Sequence, residues 1–259
     1  MTAINPLYSL AGLFVGILVG LTGVGGGSLM TPLLVLVFGF HPATAVGTDL
    51  LYASATKAAG TTVHGWRGTV DWRIVGRLAA GSVPATILTL LALGNAGEHS
   101  AGAAATITIV LGIALVLTAV ATLFRARLLV WLGPRLGRLP GRRLAATTML
   151  LGAILGVLVS LTSVGAGALG MTALLVLYPA TPIGRLVGSD IAHAVPLTLI
   201  AGVGHWLLGS VDTGLLVSLL LGSIPGIVIG SLIASRAEER VLRPILAVTL
   251  GVVGMKLLF

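Results

Sequence analysis

The sequence alternates between long apolar stretches and short polar loops. Apolar runs of roughly 20 residues are typical of membrane-spanning helices, and runs of about a dozen are too short for a full span. Segments two and seven belong to the short class. The ten predicted segments are roughly 7–22, 27–39, 43–63, 72–93, 102–124, 143–162, 167–178, 184–207, 213–234 and 240–258. The pattern predicts an all-α polytopic membrane protein.

The chain also repeats itself, with an offset of 140 residues that becomes 141 after the first loop. "GLFVGILVGLTGVGGGSLMTPLL" from Gly12 matches "GAILGVLVSLTSVGAGALGMTAL" from Gly152, and "VGTDL", "HGWRGTVD" and "GSVP" recur as "VGSDI", "HWLLGSVD" and "GSIP". Each repeat holds five segments, so the second starts from the opposite side of the membrane. We therefore predict two inverted-topology repeats, residues 1–124 and 143–259, as in many secondary transporters.

Composition and charge agree with a membrane protein and give its orientation. Of the 259 residues, 56% are apolar and 8% are charged, whereas soluble domains carry about 25% charged residues. The linker 125–142, extended to Arg143, holds six arginines and no acid, so we place it in the cytoplasm and both termini outside. The net charge of +8 lies in loops, which argues against nucleic-acid binding, and the absence of cysteine excludes disulfides.

Two glycine-rich breaks interrupt the apolar pattern, Gly23–Gly27 and its repeat Ser163–Gly167. In inverted-repeat transporters, broken or re-entrant helices meet near the bilayer midplane and form the substrate site. A glycine-rich turn that leads into a helix exposes N–H groups and a positive dipole end, which suits an anion. Close helix packing through small residues is the alternative. The candidate substrate-binding residues are Thr22, Gly25, Gly26, Gly27, Ser28, Lys57, Thr162, Gly165, Ala166 and Gly167.

The first break does not match a nucleotide-binding loop. A phosphate loop of that class ends in Gly-Lys-Ser or Gly-Lys-Thr, whereas these glycines lead into Ser28 and Leu29. No strand pattern precedes them and no acidic residue follows at the distance that holds a ribose. We therefore predict no nucleotide and no other cofactor.

Ionisable residues inside apolar segments are costly and are functional candidates. Asp49 and Asp190 occupy matching positions, where they serve proton or cation coupling or cap their helices. Lys57 attracts an anion, pairs with Asp49 or extends toward the membrane surface. His193 either titrates near neutral pH or is a hydrogen-bonded core residue.

A repeated pair of His and Asp closes segments three and eight. His64 and His205 are followed seven residues later by Asp71 and Asp212. This pair gates the pathway or anchors the turn between helices. The candidate coupling or gating residues are Asp49, Asp190, His193, His64 and His205. The sequence shows no zinc motif and no serine–histidine nucleophile arrangement, so we predict neither a metal site nor an enzyme.

The stretch "GLFVGILVGLTGVGGGSLMTPLLVLVFGFHPATAVGTDLL" and the "GSVP" and "GSIP" elements resemble the sulfite exporter TauE/SafE family of membrane anion permeases. The resemblance implies transport, with export the expected direction, of small sulfur-containing anions, such as sulfite, thiosulfate or organosulfonates, across the prokaryotic cytoplasmic (inner) membrane. It also implies that the protein is not an enzyme. The second copy departs from the motif: Ala166 and Ala168 replace Gly26 and Ser28, and Thr172 stands where Pro32 would be.

Together these features predict a secondary transporter that works by alternating access around a midplane anion site. Its partners are the lipid bilayer, a small anionic substrate and a coupling proton or cation. A passive anion channel and a transporter of other small organic anions remain alternatives. The sequence leaves open whether the protein forms a homo-oligomer.

Overall fold

A computed structural model describes residues 4–22, 27–66, 70–97, 99–137, 139–233 and 239–259, without the side chains of residues 22, 27, 59–66, 231, 233 and 239–243. All regular secondary structure within these ranges is α-helical. The helices are α1 (Pro6–Thr22), α2 (Gly27–Leu36), α3 (Pro42–Trp66), α4 (Trp72–Ala96), α5 (Ala101–Leu123), α6 (Arg125–Leu136), α7 (Gly141–Thr162), α8 (Ala168–Leu177), α9 (Ile183–Leu207), α10 (Thr213–Ile233) and α11 (Glu239–Leu258).

The helices confirm the predicted class of fold. Each of the ten apolar segments corresponds to one helix, and the two short segments are the 10-residue helices α2 and α8. Within the described residues, five helices are long and apolar enough to cross a membrane: Trp72–Ala96, Ala101–Leu123, Gly141–Thr162, Ile183–Leu207 and Thr213–Gly230. Shorter apolar helices accompany them at Pro6–Leu21, Ala168–Leu177 and Pro244–Leu258.

One helix was not predicted, and it lies in the arginine-rich linker. Helix α6 spans 12 residues and packs against α8 and the end of α5. Leu128, Leu132 and Leu136 recur every four residues, so they share one face of the helix. The arginines between them lower the mean hydropathy of the segment and concealed this stripe.

The packing partners of the helices follow the offset of the repeat. Helix α1 packs along α10, and the equivalent pair is α7 along α4. Helices α3 and α9 are equivalents and pack on each other, as do α5 and α11. Each half of the chain therefore completes its packing with helices of the other half.

Glycines at matching positions allow the closest of these contacts. A Cβ atom added at Gly16 of α1 would lie 2.6 Å from the carbonyl oxygen of Ser223 on α10. A Cβ atom at Gly156 of α7 would lie 2.6 Å from the carbonyl oxygen of Ser82 on α4. Small residues at these points let two helix backbones approach each other, which is how apolar helices gain packing energy inside a membrane.

Two loop contacts are also reciprocal. The backbone N–H of Asp212 donates to Thr48 Oγ1 at 3.1 Å, and that of Asp71 donates to Ser189 Oγ at 2.8 Å. The hydroxyl residue before each membrane aspartate thus anchors the start of a helix in the opposite half of the chain.

Helix α4 provides a matched pair of glycines that tests the packing. A Cβ atom at Gly81 would overlap the carbonyl oxygen of Met149, whereas one at Gly76 meets nothing within 4 Å. We expect Gly81→Ala to destabilise the protein by about 1–3 kcal/mol through overpacking. Gly76→Ala should instead be neutral or stabilising, by up to about 1 kcal/mol, because alanine is the better helix former.

Thermal unfolding of both variants in detergent measures the difference. Equal melting temperatures for Gly81→Ala and Gly76→Ala would contradict the close approach of α4 and α7.

Candidate functional site

The two membrane aspartates lie in the centre of the structure, on the packed helices α3 and α9. Asp49 is the eighth residue of α3 and Asp190 is the eighth residue of α9, so each lies well inside its helix. The capping interpretation is therefore wrong, because a capping residue precedes the first turn. Both side chains are buried, with exposed fractions of 0% and 5%.

Asp49 has one short hydrogen bond and one oxygen without a partner. The Thr31 hydroxyl on α2 donates to Asp49 Oδ2 at 2.6 Å. Ser163, where α7 ends, lies beside the same carboxylate. Asp49 Oδ1 and Ser163 Oγ are buried, and neither makes a hydrogen bond among the described residues. A buried polar atom of this kind needs a partner, which water, an ion, a proton or a ligand can supply.

Asp190 faces helix α8, and its approach depends on a glycine. A Cβ atom at Gly170 would lie 2.6 Å from Asp190 Oδ1, so only glycine leaves room for the carboxylate. Asp190 Oδ1 is buried and has no hydrogen-bond partner within the described part of the chain. The two carboxylates thus share a feature, one unsatisfied oxygen each, that their matching sequence positions did not reveal.

His193 lies one turn after Asp190 and is fully buried. Its Nε2 atom is 2.9 Å from Ser82 Oγ on α4. This contact fits the interpretation of His193 as a hydrogen-bonded core residue. Its Nδ1 atom makes no hydrogen bond to any described residue.

Lys57 connects the first half of the chain to the break in the second half. Its Nζ atom donates to the carbonyl oxygen of Ala166 at 3.1 Å. Lys57 lies eight residues, or about 12 Å along α3, beyond Asp49. It interacts electrostatically with Asp190, Asp49 and His193. The lysine is therefore turned into the protein and does not extend toward the membrane surface.

The position that matches Lys57 in the second half is Thr198, which carries no charge. The Thr198 hydroxyl donates to the carbonyl oxygen of Ala194 in its own helix, at 2.8 Å. The first half of the chain therefore supplies the lysine, and this lysine contacts the break of the second half.

The second break is an ordered turn between α7 and α8. Ser163 adopts a left-handed conformation with a φ of 59°, and Gly165 and Gly167 have φ angles of 126° and 132°, which favour glycine. Thr162 Oγ1 accepts from the backbone N–H of Val164 at 3.0 Å and so stabilises the turn.

Helix α8 begins directly after this turn. Its N-cap residue is Gly167, which makes no side-chain capping hydrogen bond. The N–H groups of the first turn of an α-helix have no partner within the helix. The N–H of Gly170 donates back to the carbonyl oxygen of Gly165 at 3.0 Å, and the positive end of the α8 dipole lies beside the turn that Lys57 contacts, which suits an anion.

The first break is described only at its two ends. Helix α1 ends at Thr22 and helix α2 begins at Gly27, and residues 23–26 between them lie outside the described ranges. Gly25 and Gly26, and the side chain of Thr22, lie outside the described residues. Ser28 is buried in the first turn of α2.

The described members of the repeated His and Asp pairs make separate hydrogen bonds. His205 Nε2 lies 2.8 Å from the carbonyl oxygen of Ser160 on α7, and the side chain of His64 lies outside the described residues. Asp71 Oδ1 accepts from N–H groups in the first turn of α4, and Asp212 Oδ1 accepts from one in α10. The aspartates of these pairs therefore anchor the turns, which is one of the two predicted roles.

Sequence analysis did not select three polar residues that the structure brings to the centre, namely Thr31, Ser82 and Ser163. Thr31 follows the first glycine-rich break and Ser82 lies in the repeated "GSVP" element, but neither residue carries a charge, so neither was selected. Ser163 lies within the repeated break, and its position there was a usable indication.

Comparison with known proteins places the chain among membrane transporters. The family described as "Sulfite exporter TauE/SafE" matches residues 8–257. The chain is 42% identical over 250 residues to "Probable membrane transporter protein YjnA" of Bacillus subtilis (strain 168), which covers 96% of this chain and 98% of that protein. It is 27% identical over 259 residues to "Probable membrane transporter protein YdhB" of the same organism, covering 94% and 96%. No solved structure matches the chain significantly.

Proposed function

Because the chain belongs to the sulfite exporter TauE/SafE family and is a membrane transporter, not an enzyme, we propose that it exports small sulfur-containing anions such as sulfite, thiosulfate or organosulfonates. The substrate class rests on the description of the family. The mechanism that we propose is secondary transport by alternating access around a site near the bilayer midplane.

The hydrogen bond between Lys57 and Ala166 is the observation on which the proposed anion site rests. It brings a cation next to the turn that leads into α8. Both the ammonium group and the N–H groups of that turn attract negative charge, and their effect is larger where water is excluded. In this proposal Ser163 and the glycines of the second break surround the anion, and the first break completes the site from the other half.

The charges of the centre give a reason for coupling to protons. Lys57 contributes one positive charge, whereas Asp49 and Asp190 contribute two negative charges when both are ionised. An anion entering that site is repelled, because like charges at short range in a poorly solvated site are costly. Proton binding to one carboxylate cancels the net negative charge and proton binding to both makes the net charge positive, so we propose that the anion and the proton bind together.

The proposed alternating access depends on the inverted repeat. Four observations support that arrangement: the equivalent helix pairs, the matched glycine contacts, the reciprocal loop hydrogen bonds and the two short helices that follow equivalent breaks. In an inverted repeat the chain reaches the α1–α2 break from the outer side of the membrane and the α7–α8 break from the cytoplasmic side. When each half adopts the conformation that the other half had before, the site becomes accessible from the opposite side of the membrane.

Replacement of Lys57 tests the anion site. We expect Lys57→Gln to lower the affinity for sulfite or thiosulfate at least tenfold, because glutamine keeps a donor but removes the charge. Lys256→Gln, at an exposed lysine of α11, is the matched control and should behave like the wild type. Thermal-shift titration and flux in proteoliposomes measure the two effects. Wild-type affinity in the Lys57→Gln variant would remove Lys57 from the site.

Replacement of Asp190 tests the coupling. In proteoliposomes with an imposed proton gradient, we expect the wild type to accumulate the anion against its concentration gradient. Asp190→Asn cannot release a proton, so it should lose this uphill transport while it retains exchange of labelled for unlabelled anion. If the wild type carries the anion only down its own gradient, the protein is a passive channel and the proposed coupling is wrong.

A further inference from the structure

An apolar groove of 350 Å³ lies between α6, α7 and α8. Leu128, Leu132 and Leu136 form its α6 wall, and the side chains from Thr147 to Ile154 form its α7 wall. The α7 wall extends for about 10 Å along the helix. Its apolar lining suits a hydrocarbon chain, since lipid tails fill apolar space at membrane depth.

Two arginines precede the α7 wall of this groove in the sequence. Arg143 lies one turn before Thr147, and the Thr147 hydroxyl donates to the Arg143 carbonyl oxygen at 2.9 Å, so the two residues share a face of α7. Arg142 is its neighbour, and both arginine side chains are exposed. Arg143 therefore lies one turn beyond the Thr147 end of the groove on α7, with the exposed Arg142 next to it in sequence.

Helix α6 contributes more positive charge and an interfacial surface. Arg127 lies 5.4 Å from the ring centre of Phe124, and Arg135 lies 5.2 Å from that of Trp131. Trp131 is 66% exposed, and tryptophan is enriched where a membrane meets water. Arg127 and Arg135 each precede a leucine of the groove.

No acidic residue offsets these arginines nearby in the sequence, because residues 99–189 contain neither Asp nor Glu. An anionic phosphate group matches such a cluster, since arginine binds phosphate oxygens through paired N–H donors. A ligand that carries both a phosphate and a long apolar chain satisfies the arginines and the groove together.

We propose that this groove is a binding site for an anionic phospholipid of the cytoplasmic leaflet. The phosphate group lies against Arg142 and Arg143, and one acyl chain lies along α7 between α6 and α8. The site is separate from the anion site at the Lys57 centre. Its occupant is a component of the membrane and is not the transported substrate.

Lipid retention tests the site directly. The full-length protein is reconstituted into vesicles of phosphatidylcholine with a minor fraction of phosphatidylglycerol, extracted in mild detergent and analysed by native mass spectrometry. We expect the wild type to retain phosphatidylglycerol several-fold above its fraction in the vesicle. Retention in proportion to that fraction would overturn the proposal.

Two kinds of variant separate the headgroup from the chain. The double variant Arg142→Gln/Arg143→Gln removes the charges, and Ala173→Phe fills the groove without changing any charge. Both should lose the enrichment, whereas Lys256→Gln should keep it. If Ala173→Phe does not fold, Thr147→Phe replaces it at the mouth of the groove.

The remaining outcomes are also decisive. Enrichment that survives the groove-filling variant, or that soluble glycerol phosphate abolishes, would indicate a site for phosphate alone and would contradict the lipid site. Enrichment that survives the arginine variant would contradict it as well. None of these results depends on transport, so the proposal can fail while the proposed function stands, or the reverse.

Discussion

The hydrocarbon core of a membrane offers no hydrogen-bond partners, so a helix that breaks there must find partners for its backbone within the protein. The second break of this chain finds them in Thr162, which caps the turn, and in Lys57, which donates to the Ala166 carbonyl. Lys57 belongs to the other half of the chain. The same hydrogen bond that satisfies the turn therefore also carries a positive charge to the start of α8.

This contact requires the two halves of the chain to pack closely, and glycines at the helix contacts allow that packing. The α1–α10 and α4–α7 pairs approach through equivalent glycines, and α3 and α9 pack on each other with Asp49 and Asp190 buried. The two halves nevertheless differ in charge at one pair of equivalent positions. Lys57 in the first half corresponds to the uncharged Thr198 in the second half. The lysine therefore lies next to the second break and has no charged equivalent at the matching position.

The helices and their order could be predicted from the sequence, because each apolar segment is long and the repeat fixes the equivalences. Helix α6 could not, since its arginines conceal a leucine stripe that only becomes a packed face once α8 is present. The capping role of Asp49 and Asp190 was wrong, because α3 and α9 begin close to where the apolar pattern predicts, at Pro42 and Ile183, about two turns before each aspartate. The contact between Lys57 and Ala166 could not be predicted either, because Ala166 contributes its backbone carbonyl oxygen and its side chain gives no indication of that role.

The central claim is that equivalent positions of the two halves lie on opposite sides of the membrane. The chain contains no cysteine, so a single introduced cysteine reports its own location. Trp72 and Thr213 are equivalent, exposed first residues of α4 and α10. In intact cells, a membrane-impermeant thiol reagent should label Thr213→Cys but should label Trp72→Cys only after permeabilisation. Labelling of both variants from the same side would contradict the inverted repeat and the alternating access that depends on it.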